Sequence, residues 1–116
     1  QICVFASLCE SFGFPLVEGM ARGLPVVAVE TASNREVAGD GAQYYAPEVP
    51  AALASALSRL ISDPEAYCQA SASALRRARQ FSWDEAGRQT LELIKELASA
   101  GPYSPEPSAR SRRSHE

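Results

Sequence analysis

Glu10 and Glu18 are the side chains whose type and setting could do chemistry, because they bracket a glycine loop that feeds a helix start, Glu10-Ser-Phe-Gly-Phe-Pro-Leu-Val-Glu18. Pro15 suits the first position of a helix, where a missing N–H costs nothing. Gly13, just ahead, lets backbone pass close to a ligand, so Gly13→Val is expected to abolish ligand binding with little change in melting temperature. The first N–H groups of a helix lack intrahelical partners and face outward with the positive end of the helix dipole, which makes such a place an anion site. Pro15 offers no donor, which leaves the amides of Gly13, Phe14, Leu16 and Val17. Two carboxylates beside an anion site are chemically odd unless the ligand also carries hydroxyls, since a carboxylate repels phosphate but accepts strongly from a diol. A nucleotide sugar has both parts.

Spacing alone does not decide the matter. Eleven Glu in 116 residues give on the order of one pair eight apart by chance. On pattern alone, Glu10 reads equally as a solvated loop residue and Glu18 as a first-turn carboxylate that complements the dipole.

The elements that would position this loop alternate between strand and helix. Ile2, Cys3, Val4 and Phe5 read as a short buried strand, residues 15–22 as a helix ended by Gly23, and residues 25–29 as a second buried strand, β-branched and free of charge. Ser33 is placed to cap a short helix through about Ala38, Gly39 and Gly41 bracket a turn, and residues 42–45 form a third strand. From Pro50 the period changes to 3.6, with Leu53, Leu57, Leu60 and Ile61 on one face until Asp63-Pro64 stops one helix and starts the next. That helix runs to about Gln80 and carries Arg76, Arg77 and Arg79 as a solvated basic end. Ser82 with Glu85 forms a capping box before a last helix that presents Trp83, Leu91, Ile94 and Leu97. Phe81, Trp83, Tyr44 and Tyr45 are read as packing residues, not stacking platforms. Strand–helix alternation followed by accumulated helices is the C-terminal half of a Rossmann-like, parallel-sheet α/β domain. In such a sheet ligands bind outside the carboxyl ends of the strands, which is where the Glu10–Glu18 loop falls.

Composition narrows the function classes. Residues 1–100 carry eight Lys and Arg against twelve carboxylates, a poor match to the basic stripe that nucleic-acid binding needs, so no nucleic-acid partner is expected. No apolar run approaches the roughly 20 residues of a membrane helix, and the start lacks the marks of a signal peptide. Cys3, Cys9 and Cys68 are odd in number and show no CxxC spacing, and the one His is His115. Reduced thiols, a cytoplasmic location and no metal site are expected. Residues 101–116 are rich in Pro, Ser and Arg and read as a disordered tail after a domain over 1–100.

The run Ser7-Leu-Cys-Glu-Ser-Phe-Gly-Phe-Pro-Leu-Val-Glu-Gly-Met-Ala-Arg-Gly-Leu-Pro-Val-Val-Ala28 resembles the E-x7-E motif of family 4 retaining nucleotide-sugar glycosyltransferases, a GT-B fold group. The resemblance continues through Arg35-Glu-Val-Ala-Gly-Asp-Gly41, the Leu-striped helix to Asp63-Pro64, and Phe81-Ser-Trp83, and covers about residues 1–100. It implies the C-terminal part of a donor-binding domain, with a nucleotide diphosphate sugar as donor, a sugar, lipid-linked or polysaccharide acceptor, retention of configuration, and no metal or cofactor. Carried over by position, it implies that Glu10 lies beside the transferred sugar as the catalytic carboxylate and that Glu18 grips the ribose hydroxyls. Backbone N–H groups of Phe12, Gly13 and Phe14 would meet sugar hydroxyls, and those of Leu16 and Val17 the diphosphate. Ala6 stands where the family commonly has Pro, and Arg35 where Pro often precedes the Glu.

A lipid-linked acceptor would bring peripheral contact at the inner membrane face. The alternative from another class is a noncatalytic nucleotide-sugar binding or scaffold module. A dinucleotide-binding Rossmann domain is disfavoured, since no GxGxxG follows a strand. The chain opens directly on a strand, as a fragment would, and residues 1–18 hold no Lys or Arg to clamp a diphosphate. By itself it is expected to be catalytically dead.

Overall fold

The structure is a computed structural model that describes residues 1–100; the expected tail at 101–116 lies outside the described residues. Three short strands, β1 (Cys3–Phe5), β2 (Val26–Val29) and β3 (Gln43–Tyr45), form a parallel sheet in the order β1-β2-β3. Cys3 pairs with Val26 and Phe5 with Ala28, then Val27 with Gln43 and Val29 with Tyr45. Every residue of β2 is buried, as expected of a β-branched strand with neighbours on both edges and helices against it. Because the strands are parallel, the segments leaving Phe5, Val29 and Tyr45 emerge on one edge of the sheet. The Glu10 loop belongs to that edge.

Helix α1 (Phe14–Ala21) follows the loop, and α2 (Ala32–Ala38) leads through a 3-10 turn at Gly39–Gly41 into β3. Helices α3 (Pro50–Ser62) and α4 (Pro64–Ala78) are joined at Asp63, which closes α3 and caps α4 by accepting from the N–H groups of Glu65 and Ala66 at 3.0 Å. The core lies between the sheet and α1, α2 and α4, where Phe5, Leu16, Met20, Val26, Ala28, Val37 and Ala74 meet. Full burial stabilises by roughly 1.5–3 kcal/mol for a side chain such as Leu16 or Met20. Residues 1–82 form one compact unit. Helix α5 (Trp83–Ser99) belongs to a second, and none of its residues is buried.

Four local expectations shift. The cap of α2 is Thr31, not Ser33: Thr31 is extended and its hydroxyl accepts from the Asn34 N–H at 3.1 Å. Pairing continues to Glu30, whose N–H donates to the Tyr45 carbonyl, so Thr31 is the first residue released from the sheet. Pro15 sits second in α1, because the helix begins at Phe14. Ile61 is 75% exposed, while Leu60 carries the buried end of the α3 stripe. Trp83, read as a packing residue, is 80% exposed.

Candidate functional site

The loop over residues 6–13 leaves β1 at the ligand edge and turns into α1 through Gly13, which is buried and sits at φ 80°, ψ 57°. That left-handed conformation is open to glycine and costly for a β-branched residue. A Cβ at Gly13 would also meet the Phe5 ring at 3.3 Å. The glycine is therefore required by backbone conformation and by the core beneath it. The expectation that Gly13→Val spares the fold is corrected on both counts.

Helix periodicity sorts the rest of the motif. Leu16 and Met20, one turn apart, are fully buried, and Val17 is half-buried against the core. Phe14 and Glu18, likewise one turn apart, are exposed and share the opposite face. At 1.5 Å per residue Glu18 stands about 6 Å further along α1 than Phe14. Glu10 is exposed in the loop, next to exposed Cys9. Neither carboxylate has an ion-pair or hydrogen-bond partner among the described residues. Both are thus available to accept from a ligand's hydroxyls.

The amides divide differently from what the motif suggests. The Leu16 N–H donates to the Gly13 carbonyl at 3.0 Å, so it reaches a ligand only by sharing or releasing that bond. Val17 lies one residue deeper in the helix, past the three or four positions whose donors are unsatisfied. Gly13 and Phe14 occupy the helix terminus itself.

Two supports hold the loop. Phe12 is half-buried, with its ring 5.0 Å from Phe14 and 5.6 Å, edge-on, from Phe81. At the other end Asn34, 1% exposed, donates through Nδ2 to the Ser7 carbonyl at 3.2 Å and to the Val29 carbonyl at 2.9 Å. Sequence reasoning passed over Asn34, although it shares the spacing of Val37 and Ala38 on the buried face of α2, where a polar side chain stands out.

Arg77 departs from the expected solvated basic end: Nη2 donates to the Glu36 carbonyl at 2.6 Å and Nε to the Val37 carbonyl at 2.8 Å, and the guanidinium lies 5.3 Å from the Phe81 ring. Gly41 makes the approach possible, since a Cβ there would stand 2.7 Å from the Arg77 Cβ. The Tyr44 hydroxyl donates to the Gly39 carbonyl at 2.7 Å, and the centroid of its ring lies 4.4 Å beneath the Arg35 guanidinium. Burial pushes the Tyr44 phenol above its ordinary range, and the nearby Arg35 and Arg77 pull part of the way back. Arg35 also pairs with Glu30 at 2.7 Å, which gives the departure from the family's Pro a structural use.

The Glu10 loop is exposed at Leu8, Cys9, Glu10 and Ser11. The loop residues line neither the shallow cavity of about 180 Å³ near Asp40, Arg59, Gln69 and Ser73 nor the groove formed by Gln1, Ile2, Leu60, Ile61 and Tyr67. The first of these lies at the opposite edge of the sheet, where β3 begins.

The family profile described as "Glycosyl transferases group 1" matches residues 1–63, more than half of the chain. The chain belongs to this family. It is 34% identical over 94 residues to the O-antigen chain mannosyltransferase B of Escherichia coli, covering 81% of this chain and 25% of that protein. With the phosphatidyl-myo-inositol mannosyltransferase of Mycobacterium leprae it shares 38% identity over 99 residues, 79% of this chain and 25% of that one. Among solved structures, the sucrose-phosphate synthase of Thermosynechococcus elongatus matches with a TM-score of 0.74 at 26% identity, over 84% of this chain and 26% of that one. The chain thus spans about a quarter of the length of these relatives. The expected α/β fold, a part of a GT-B glycosyltransferase with a parallel sheet and several helices, is the fold observed.

Proposed function

We propose that this chain supplies the donor-binding wall of a retaining glycosyltransferase that moves a sugar from a nucleotide diphosphate sugar to a sugar, lipid-linked or polysaccharide acceptor. The observation that carries the reading is the αL turn at Gly13, which joins an exposed acidic loop to a helix N-terminus at the carboxyl edge of a parallel sheet, in a chain of this family. Glu10 accepts from hydroxyls of the transferred sugar, and the Phe12, Gly13 and Phe14 amides meet that sugar from below. Glu18 takes the ribose hydroxyls. The diphosphate lies at the start of α1, where the Leu16 amide becomes a donor by releasing the Gly13 carbonyl and the Val17 amide only if the first helical turn opens as well.

Negative charge develops on the leaving diphosphate as the glycosidic bond breaks, and fixed amides aimed there lower the barrier without reorganising. A helix of eight residues supplies only a modest share of that field. The exposed loop fits one wall of a cleft, with cationic groups on the facing wall, since residues 1–18 hold no Lys or Arg. No metal or cofactor enters this reading.

No described helix is long and apolar enough to cross a membrane. The reading places the protein in the cytoplasm, with peripheral contact at the inner membrane face where the acceptor is lipid-linked.

Assaying the full-length protein against a panel of UDP- and GDP-sugars, with transfer and donor hydrolysis followed separately, tests this. Turnover of one donor with retention supports it. Tight binding without turnover would assign a scaffold role instead, and neither binding nor turnover would remove the donor-site reading.

A further inference from the structure

The Glu10 loop has no regular structure of its own, yet a transferred sugar has to be met by a carboxylate held to within a fraction of an ångström. Leu8, Cys9, Glu10 and Ser11 are all exposed, so side-chain packing does not fix them. What fixes the start of the loop is a single side chain from another element. Ladder pairing between β1 and β2 ends at Phe5 and Ala28, and beyond that point the two chains diverge. Asn34 sits in the fork. Its amide has two N–H donors, and both are engaged, one on the Ser7 carbonyl of the departing loop and one on the Val29 carbonyl at the end of β2. The side chain thereby replaces the cross-strand bonds that the sheet stops making.

Asn34 is itself held. Its own N–H donates to the Thr31 hydroxyl, so the α2 cap sets its backbone, and its burial leaves the amide little freedom. The distance from Ser7 to Glu10 is only three residues, so a shift at Ser7 is passed directly to the carboxylate.

We infer that Asn34 is a positioning residue for the transfer reaction, clamping the Ser7 carbonyl so that Glu10 meets the sugar. This rests on the donor-site reading given above. A catalytic group misplaced by about 1 Å can lose on the order of a hundredfold in rate. Donor affinity should change much less, because the nucleotide is held through Glu18 and the α1 terminus, to which Asn34 makes no hydrogen bond.

The experiment uses the full-length protein with Asn34→Leu, which removes both donors at similar volume, and Asn34→Asp, which keeps the shape and turns donors into acceptors. Expected for whichever variant folds is a kcat lower by about tenfold to a hundredfold with a donor KM within about threefold of wild type. Hydrogen exchange followed by mass spectrometry should show faster exchange in the peptide over residues 6–13 and unchanged exchange in α4. Glu10→Gln is run beside them. If Glu10→Gln turns over like wild type, the donor-site reading itself fails. If Glu10→Gln is impaired while a folded Asn34 variant keeps wild-type kcat, the inference alone is overturned. Rate loss that merely tracks the unfolded fraction, or failure of both variants to fold, would assign Asn34 to the fold and overturn it as well.

Discussion

Two regions flank β2 and are built in opposite ways. Around the 3-10 turn, Arg77 reaches two carbonyls at the end of α2, Tyr44 takes a third, and Arg35 stacks over Tyr44 while pairing with Glu30. The polar groups there satisfy one another. At the edge that carries the Glu10 loop, Glu10 and Glu18 are exposed without partners among the described residues, and the loop between β1 and α1 is held from its ends, by Asn34 and by Phe12 against Phe81, with one long internal bond from the Ser7 hydroxyl to the Cys9 carbonyl at 3.4 Å. The contrast separates a region whose polar groups are spent on one another from one whose carboxylates stand exposed, as the proposed donor site requires. Damage to the first should appear in melting temperature, and damage to the second in kinetics.

Gly13 is where the two rules collide, so Gly13→Val has the largest expected effect. The αL backbone costs a non-glycine residue roughly 1–2 kcal/mol, and crowding against Phe5 adds about 1–3 kcal/mol. A thermal or denaturant melt of the full-length protein should show a loss of about 2–5 kcal/mol. An unchanged melting temperature would mean that the glycine serves the ligand alone.

Arg77→Ala comes next. It removes donors from the Glu36 and Val37 carbonyls and should cost roughly 1.5–3 kcal/mol of stability, the range for a charged hydrogen bond. Turnover per folded molecule should stay near wild type, and a fall in kcat beyond the folded fraction would break the separation between the two regions.

How much of this was legible in the sequence follows the range of the forces involved. The strands, the α1 stop at Gly23 and the Asp63-Pro64 junction are written locally, in periodicity, β-branching and capping chemistry, and they formed close to where they were expected. The acidic loop was found because carboxylates, glycine and a helix start lie within nine residues. Asn34 and Arg77 escaped, because their partners stand 27 and about 40 residues away and a single Asn or Arg carries no local mark of a distant carbonyl. Spacing did hold a hint, since both occur three or four residues from a buried apolar neighbour on their helices. Trp83 failed in the other direction: its apolar mass said packing, but nothing in one helix specifies what it packs on.

Glu10→Gln should act on the ligand edge only. Loss of a charged hydrogen bond at the sugar predicts about tenfold to a hundredfold in kcat, with nucleoside diphosphate affinity and melting temperature close to wild type. Initial-rate kinetics beside calorimetry would check it, and equal losses in rate and affinity would place Glu10 at the nucleotide instead.

The smallest effect lies in α5. Hydrogen bonds from Arg88, and then from Gln89, hold the Glu85 carboxyl below its ordinary value. A depressed carboxyl contributes stability that is present above its unfolded value and fades as pH falls through its folded one, so α5 should lose a little helix only in acid. The carboxyl resonance of Glu85, titrated by NMR, should move at a lower pH than that of an unpaired Glu. A midpoint at the ordinary value would dissolve the pairing in solution.

The central claim is that the edge with unpaired carboxylates is kept for a nucleotide sugar, and Glu18 tests it most directly because its proposed partners are the two ribose hydroxyls. Calorimetric titration of UDP and GDP into full-length wild type and Glu18→Ala should show the binding nucleotide weakened by about 1.5–3 kcal/mol, with the melting temperature of the free protein unchanged. Equal affinity in both proteins would contradict the account.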